Sequence, residues 1–160
     1  MNPSTIDDSE VQAKLQSAIG LLFKNDSFLL DKNVHERTIA HKLAEYLQQL
    51  WPEWNVDCEY DKKGLDIKRL DGISECNEQR RTDRVLPDIV VHYRNSDLNL
   101  LVIEIKTKHA DCECDYRKLE LFTSEDGEYK YRYGLFVRFN KLNRPEMKWY
   151  MGGAETTFEA

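Results

Sequence analysis

Apolar positions recur with a helical period near the N-terminus of this chain and with a strand period further on. In residues 9–24 and 34–51 apolar side chains return every three or four positions, which predicts two amphipathic helices. Ser9 is a candidate N-cap for the first helix, and Asn33 and Pro52 bracket the second. The predicted buried stripe of the first helix is Val11, Leu15, Ala18, Ile19 and Leu22.

Short runs rich in β-branched and aromatic residues follow and predict strands. They cover residues 54–60, 86–92, 101–106, 129–139 and 147–151, with a helix predicted at 111–125, a polar excursion at 61–84 and a frayed tail at 152–160. Without the first helix the order is αβββαβ. A strand–helix–strand crossover in this order favours a mixed sheet, with one pair of strands parallel.

The second and third predicted strands bring two acidic residues together. Residues 94–99 form a short polar link, which predicts a hairpin. In the antiparallel register that we expect, Asp88 lies opposite Glu104, with about 5 Å between their Cβ atoms. Like charges so placed destabilise a sheet, and a divalent cation such as Mg²⁺ would remove the repulsion. Lys106 lies on the same face as Glu104 because strand side chains alternate.

The pattern Pro87-Asp88, a gap of 15 residues, then Glu104-x-Lys106 resembles the PD-(D/E)XK nuclease superfamily. The resemblance implies a restriction-endonuclease-like fold of the α/β (α+β) class, whose mixed central sheet is flanked by helices. It covers about residues 34–139, and the helix before residue 34 is an addition to that core. The length of 160 residues predicts one domain over residues 1–160.

The resemblance also implies an activity, the metal-dependent hydrolysis of phosphodiester bonds in nucleic acid. Asp88, Glu104 and the backbone carbonyl of Ile105 would hold Mg²⁺ or Mn²⁺. The ion would polarise the phosphate and lower the pKa of a bound water. Lys106 would orient that water or neutralise the charge that develops on the phosphate.

Glu36 has two interpretations, and both stay open. It lies on the inward stripe of the second helix with Ile39 and Leu43. A carboxylate on such a stripe is costly unless something binds it. It either reaches back to the backbone of Asn33 in a capping box or turns into the metal site, as a Glu in the first core helix of the superfamily often does.

The charge distribution limits how this chain could bind nucleic acid. Its net charge is −6, so binding needs local basic clusters. For Lys118 a surface ion pair with Asp115, three residues earlier, is the favoured alternative. His92 shares the face of Asp88 and is predicted to be a hydrogen-bonded structural residue. The candidate nucleic-acid contacts are Arg80, Arg81, Arg84, Lys108 and Lys118.

Composition and termini suggest the compartment and the partners. The chain has no apolar run of about 18 residues and no signal-peptide pattern at its start, so we expect a cytoplasmic protein without a membrane partner. Its four cysteines should then be reduced. Nucleic acid is the expected partner, with DNA favoured over RNA, and a protein partner or a homodimer is a further candidate. The alternative function is a non-catalytic nuclease-fold module that binds nucleic acid or protein, for example in a defence or mobile-element system.

Overall fold

A six-stranded mixed sheet lies at the centre of the structure, a computed structural model that describes residues 5–60, 62–63, 66–67, 86–107 and 112–158. The helices are α1 (Asp8–Asn25), α2 (Ser27–Asp31), α3 (Glu36–Leu50) and α4 (Glu113–Thr123). The strands are β1 (Asn55–Cys58), β2 (Lys62–Lys63), β3 (Asp66–Ile67), β4 (Ile89–His92), β5 (Asn99–Lys106), β6 (Tyr133–Arg138), β7 (Glu146–Met151) and β8 (Ala154–Thr156).

The strand order of the large sheet is β1-β4-β5-β6-β7-β8, and β2 and β3 form a separate pair. β5 and β6 are parallel, as the strand–helix–strand step predicts, and the other neighbours in the large sheet pair antiparallel. The prediction of a mixed sheet flanked by helices is therefore confirmed.

Helices cover both faces of the sheet, and each face has its own apolar cluster. On the first face, Ile89 and Ile103 pack with α1 and α3. On the second face, Val90 and Val102 pack with Leu119 of α4. Because strand side chains alternate, the same two strands supply both clusters.

The two N-terminal helices form where the periodicity predicts them, but their caps differ. All five residues of the predicted α1 stripe are buried. The cap of α1 is Asp7 and not Ser9, since the Asp7 carboxylate accepts the Glu10 N–H at 2.8 Å. α3 begins at Glu36 with His35 as its cap, so the capping-box interpretation is wrong. Asn33 instead takes a left-handed conformation with φ 53° in the preceding turn.

Two strand boundaries also differ from the prediction. β6 starts at Tyr133 and not at residue 129, because Lys130 has a φ of 48° and interrupts the extended backbone. Tyr131 N–H then donates to the Phe122 carbonyl of α4 at 2.9 Å. The predicted frayed tail contains β8, which pairs with β7.

Cys114 is disulfide-bonded, so the expectation that all four cysteines are reduced is wrong for this residue. Cys58 is an exposed thiol and Cys112 a buried one. Cys76 lies outside the described residues. Among the described helices, none has the length and apolar character needed to cross a membrane.

Gly134 on β6 leaves no room for a side chain. An added Cβ would lie 3.0 Å from Thr123 Cγ2 and 3.2 Å from Tyr150 Cβ. We expect Gly134→Ala to lower the free energy of unfolding by about 1–3 kcal/mol, because the packed neighbours must move. Gly20→Ala in α1 is the matched control, since its Cβ meets nothing within 4 Å. It should raise the free energy of unfolding by about 0.5–1 kcal/mol, and equal effects of both variants in urea titrations would contradict this account.

Candidate active site

The pairing of β4 with β5 brings two carboxyl groups to one face of the sheet. Ile89 lies opposite Ile103 and Val90 opposite Val102, in the register that the sequence predicts. One step further along this register, Asp88 comes opposite Glu104. The register shifts only beyond Val91, away from this end of the hairpin. We call Asp88 and Glu104 the acid pair.

Asp88 is held by the backbone of the neighbouring strand. Its Oδ2 accepts the Ile105 N–H at 2.7 Å. Burial raises the pKa of Asp88 to about 6, and the charge of Glu36 adds to this rise, while the Ile105 hydrogen bond and the charge of Lys118 oppose it. Near neutral pH this carboxyl group is therefore largely ionised in a place that disfavours its charge.

Glu104 is more deeply buried, with 4% of its surface exposed. Its Oε1 has no hydrogen-bond partner among the described residues. Burial, and then the charge of Asp88, raise the pKa of Glu104 well above its ordinary value. A buried polar atom without a partner costs free energy, so this oxygen is a ready acceptor for a cation or a donor that enters the site.

Helix α4 adds two charged residues, Asp115 and Lys118, to the same face. Lys106 Nζ lies 3.4 Å from Asp115 Oδ2, and Asp115 is only 6% exposed. Asp115 thus pairs with Lys106 of the sheet, and the surface ion pair that we expected between Asp115 and Lys118 is wrong. The charge of Glu104 is the largest cause of a raised pKa at Lys118, which places this ammonium group near the acid pair.

Glu36 is the first residue of α3, and its charge acts on Asp88 and on Lys106. The charge of Glu36 therefore reaches the acid pair, and its role in a metal site stays a prediction. The next residue, Arg37, forms an ion pair with Glu59, with 2.8 Å between Nε and Oε1. Sequence reasoning missed Arg37 and Glu59, although Arg37 directly follows a predicted site residue. A pocket of about 80 Å³ lies here, lined by Arg37, Ala40, Cys58, Glu59 and Asp88.

His92 is hydrogen-bonded, as the sequence predicts. Its Nε2 lies 2.8 Å from Asp57 Oδ2, and Arg94 binds both oxygens of the same carboxylate. Burial would raise the pKa of Asp57, but the hydrogen bonds from Arg94 and His92 outweigh it and lower the pKa. This cluster shares the second face with the acid pair and differs from it, because the partly buried Asp57 carboxylate has hydrogen-bond partners.

The acid pair fits the ligand preference of Mg²⁺ or Mn²⁺. Magnesium is usually bound by one or two carboxylates, with waters and substrate phosphates completing its shell. In the described residues no group of three or more His, Cys, Asp or Glu side chains is arranged to hold a metal ion. The protein would thus contribute two carboxylates and leave the other positions to water and substrate. The predicted contacts Arg80, Arg81, Arg84 and Lys108 lie outside the described residues.

Comparison with known proteins adds no relative from which a function could be transferred. No family model, curated protein or solved structure matches the chain. A functional conclusion therefore depends on the chemistry of the acid pair and its neighbours.

Proposed function

We propose that this protein is a metal-dependent nuclease with a restriction-endonuclease-like core. The observation that carries the proposal is the acid pair on adjacent strands, with an unpartnered Glu104 oxygen and two lysines beside it. The succession α3, β1, β4, β5, α4 and β6 supports it, because this is the αβββαβ order of that core. The small β2–β3 pair is inserted between β1 and β4.

In this proposal Asp88 and Glu104 hold Mg²⁺ or Mn²⁺. A bound ion would act as a Lewis acid on the phosphate and lower the pKa of a coordinated water. Asp88 uses one oxygen to accept the Ile105 N–H, which fixes its orientation and leaves the other oxygen for the ion. Glu36 would hold a second metal ion or a metal-bound water, because no three such side chains of the described residues are arranged around one ion. The Ile105 carbonyl is the backbone ligand that the resemblance implies.

The two lysines, Lys106 and Lys118, would stabilise negative charge on the phosphate and would not bind the metal ion. Hydrolysis of a phosphodiester builds negative charge on the phosphate oxygens, and a positioned cation stabilises that charge. Lys106 is half-buried beside the acid pair and keeps a raised pKa, because the charges of Asp115 and Glu36 outweigh the effect of burial. It therefore remains an ammonium group at neutral pH, and Lys118 is a second ammonium near the same carboxylates.

Cleavage assays test this function directly. Labelled DNA and RNA are incubated with the protein in Mg²⁺ or Mn²⁺. We expect cleavage by the wild type and a rate lower by roughly 10²–10³-fold for Lys106→Ala, as for loss of one charge-stabilising donor. Lys32→Ala is the control, because Lys32 is an exposed lysine at the end of α2, and this variant should cleave normally. Activity that survives in both Lys106→Ala and Asp88→Ala would reject the assignment.

A further inference from the structure

Two carboxylates, Glu104 and Asp115, are candidates to pair with Lys106, and Lys106 pairs with Asp115, the more distant of the two in sequence. Glu104 lies two residues back on the same face of β5, about 6–7 Å along the strand. Asp115 lies on a different element, the first turn of α4. The ammonium nitrogen is 3.4 Å from Asp115 Oδ2, whereas Glu104 Oε1 has no hydrogen-bond partner in the described part of the chain.

Because both carboxylates are buried, it matters for their stability which of them pairs with Lys106. Asp115 is 6% exposed and Glu104 is 4% exposed, so each carboxylate needs compensation for the water that it has lost. Lys106 can compensate one of them at a time. Asp115 also lies near the N-terminus of α4, where a negative charge is favoured by the helix dipole.

We propose that Asp115 is a positioning residue that holds the Lys106 ammonium away from Glu104 and so keeps the acid pair open to a divalent cation. The consequence for metal binding rests on the proposed nuclease function. Without the Asp115 charge, the flexible four-carbon stem of Lys106 would let its ammonium group move onto Glu104. An ammonium in that place would compete with a metal ion for the same oxygen.

Lys118 is the competing explanation that an experiment must separate. Its ammonium also lies near Glu104, and it is on the same helix as Asp115. If Asp115 acted by restraining Lys118, removal of Lys118 would reverse the effect of removing Asp115. If Asp115 were a metal ligand or only a folding residue, removal of neither lysine would reverse it.

Mn²⁺ binding, measured by calorimetry on the full chain, distinguishes these cases. We expect Asp115→Asn to weaken the affinity about tenfold, the factor that corresponds to a competing ion pair of about 1.4 kcal/mol. The double variant Asp115→Asn/Lys106→Met should recover at least the wild-type affinity, although it lacks the catalytic lysine. Asp115→Asn/Lys118→Met should stay weak, and Asp115→Glu, which keeps the charge, should bind nearly as the wild type does.

Three results would overturn the proposal: unchanged affinity in Asp115→Asn, no recovery in Asp115→Asn/Lys106→Met, or recovery with Lys118→Met instead. Circular dichroism checks that each variant folds, and Asp115→Ser replaces Asp115→Asn if the latter does not fold. The affinity of each double variant is compared with that of its single lysine variant.

A metal-free measurement separates failure of this inference from failure of the nuclease function. In EDTA, a double-mutant cycle on unfolding with Glu104→Gln and Lys106→Met reports the coupling of these two residues. We expect weak coupling in the wild-type background and clear favourable coupling in Asp115→Asn. If the wild type binds no Mn²⁺, the proposed function is rejected. If the coupling between Glu104 and Lys106 is equal with and without Asp115→Asn, the positioning role of Asp115 is rejected.

Discussion

Replacement of Asp88 with asparagine should make the metal-free protein more stable at pH 8 and abolish the proposed metal-dependent cleavage. The wild-type carboxylate is charged at this pH in a buried site that raises its pKa from 3.8 to about 6. An amide removes the charge, and its oxygen can still accept the Ile105 N–H. A shift of this size corresponds to a gain of at most about 3 kcal/mol in the free energy of unfolding.

The pH dependence of stability should identify this cause. Between pH 3.8 and about 6 the folded state keeps a proton on Asp88 that the unfolded chain gives up. The free energy of unfolding therefore falls as the pH rises through that window, and the loss is complete above it. Urea titrations in EDTA at pH 5 and pH 8 should show that the free energy of unfolding falls less between these pH values in Asp88→Asn than in the wild type.

Asp57→Asn is the matched control, and its effect on the free energy of unfolding at pH 8 should have the opposite sign. Its carboxylate is also partly buried, but Arg94 and His92 hydrogen-bond to it and its pKa is lowered. Its ionised form therefore stabilises the fold above its unfolded pKa, and Asp57→Asn should reduce stability at pH 8. If Asp88→Asn is no more stable than the wild type at that pH, the burial of an unfavourable charge at Asp88 is refuted.

Mn²⁺ should raise the melting temperature at pH 8 and leave it unchanged at pH 5. At pH 8 Asp88 is ionised and can bind the ion, whereas at pH 5 burial keeps Asp88 largely protonated. A ligand at 100 times its Kd stabilises a protein by about 2.7 kcal/mol. Thermal melts with and without Mn²⁺ at matched ionic strength measure the shift.

Glu104→Gln supplies the control for this experiment. The variant keeps the shape of the side chain but replaces one of the two carboxyl groups that would hold the ion with a neutral amide, so we expect no shift with Mn²⁺ at pH 8. An equal shift at both pH values, or a full shift in Glu104→Gln, would show that the ion binds outside the acid pair.

Much of the architecture follows from local patterns in the sequence. The stripe from Val11 to Leu22 repeats with the period of a helix, and each of its residues is buried in α1. The short link between β4 and β5 leaves little freedom in their pairing, so the register that places Asp88 opposite Glu104 could be predicted. Helix caps were harder to predict. The observed caps Asp7 and His35 each lie two residues from the predicted Ser9 and Asn33, and the intrinsic preference for Asn did not decide the start of α3.

The acid pair could be predicted because its two residues lie on one hairpin, where alternation and register are properties of the local chain. The partner of Lys106 could not, because Asp115 reaches it only when α4 packs on the second face of the sheet. Pairing rules along a helix favoured Lys118 for Asp115, since they cannot include a lysine from another element. Long-range packing also sets how deeply Glu104 is buried, and that burial raises its pKa.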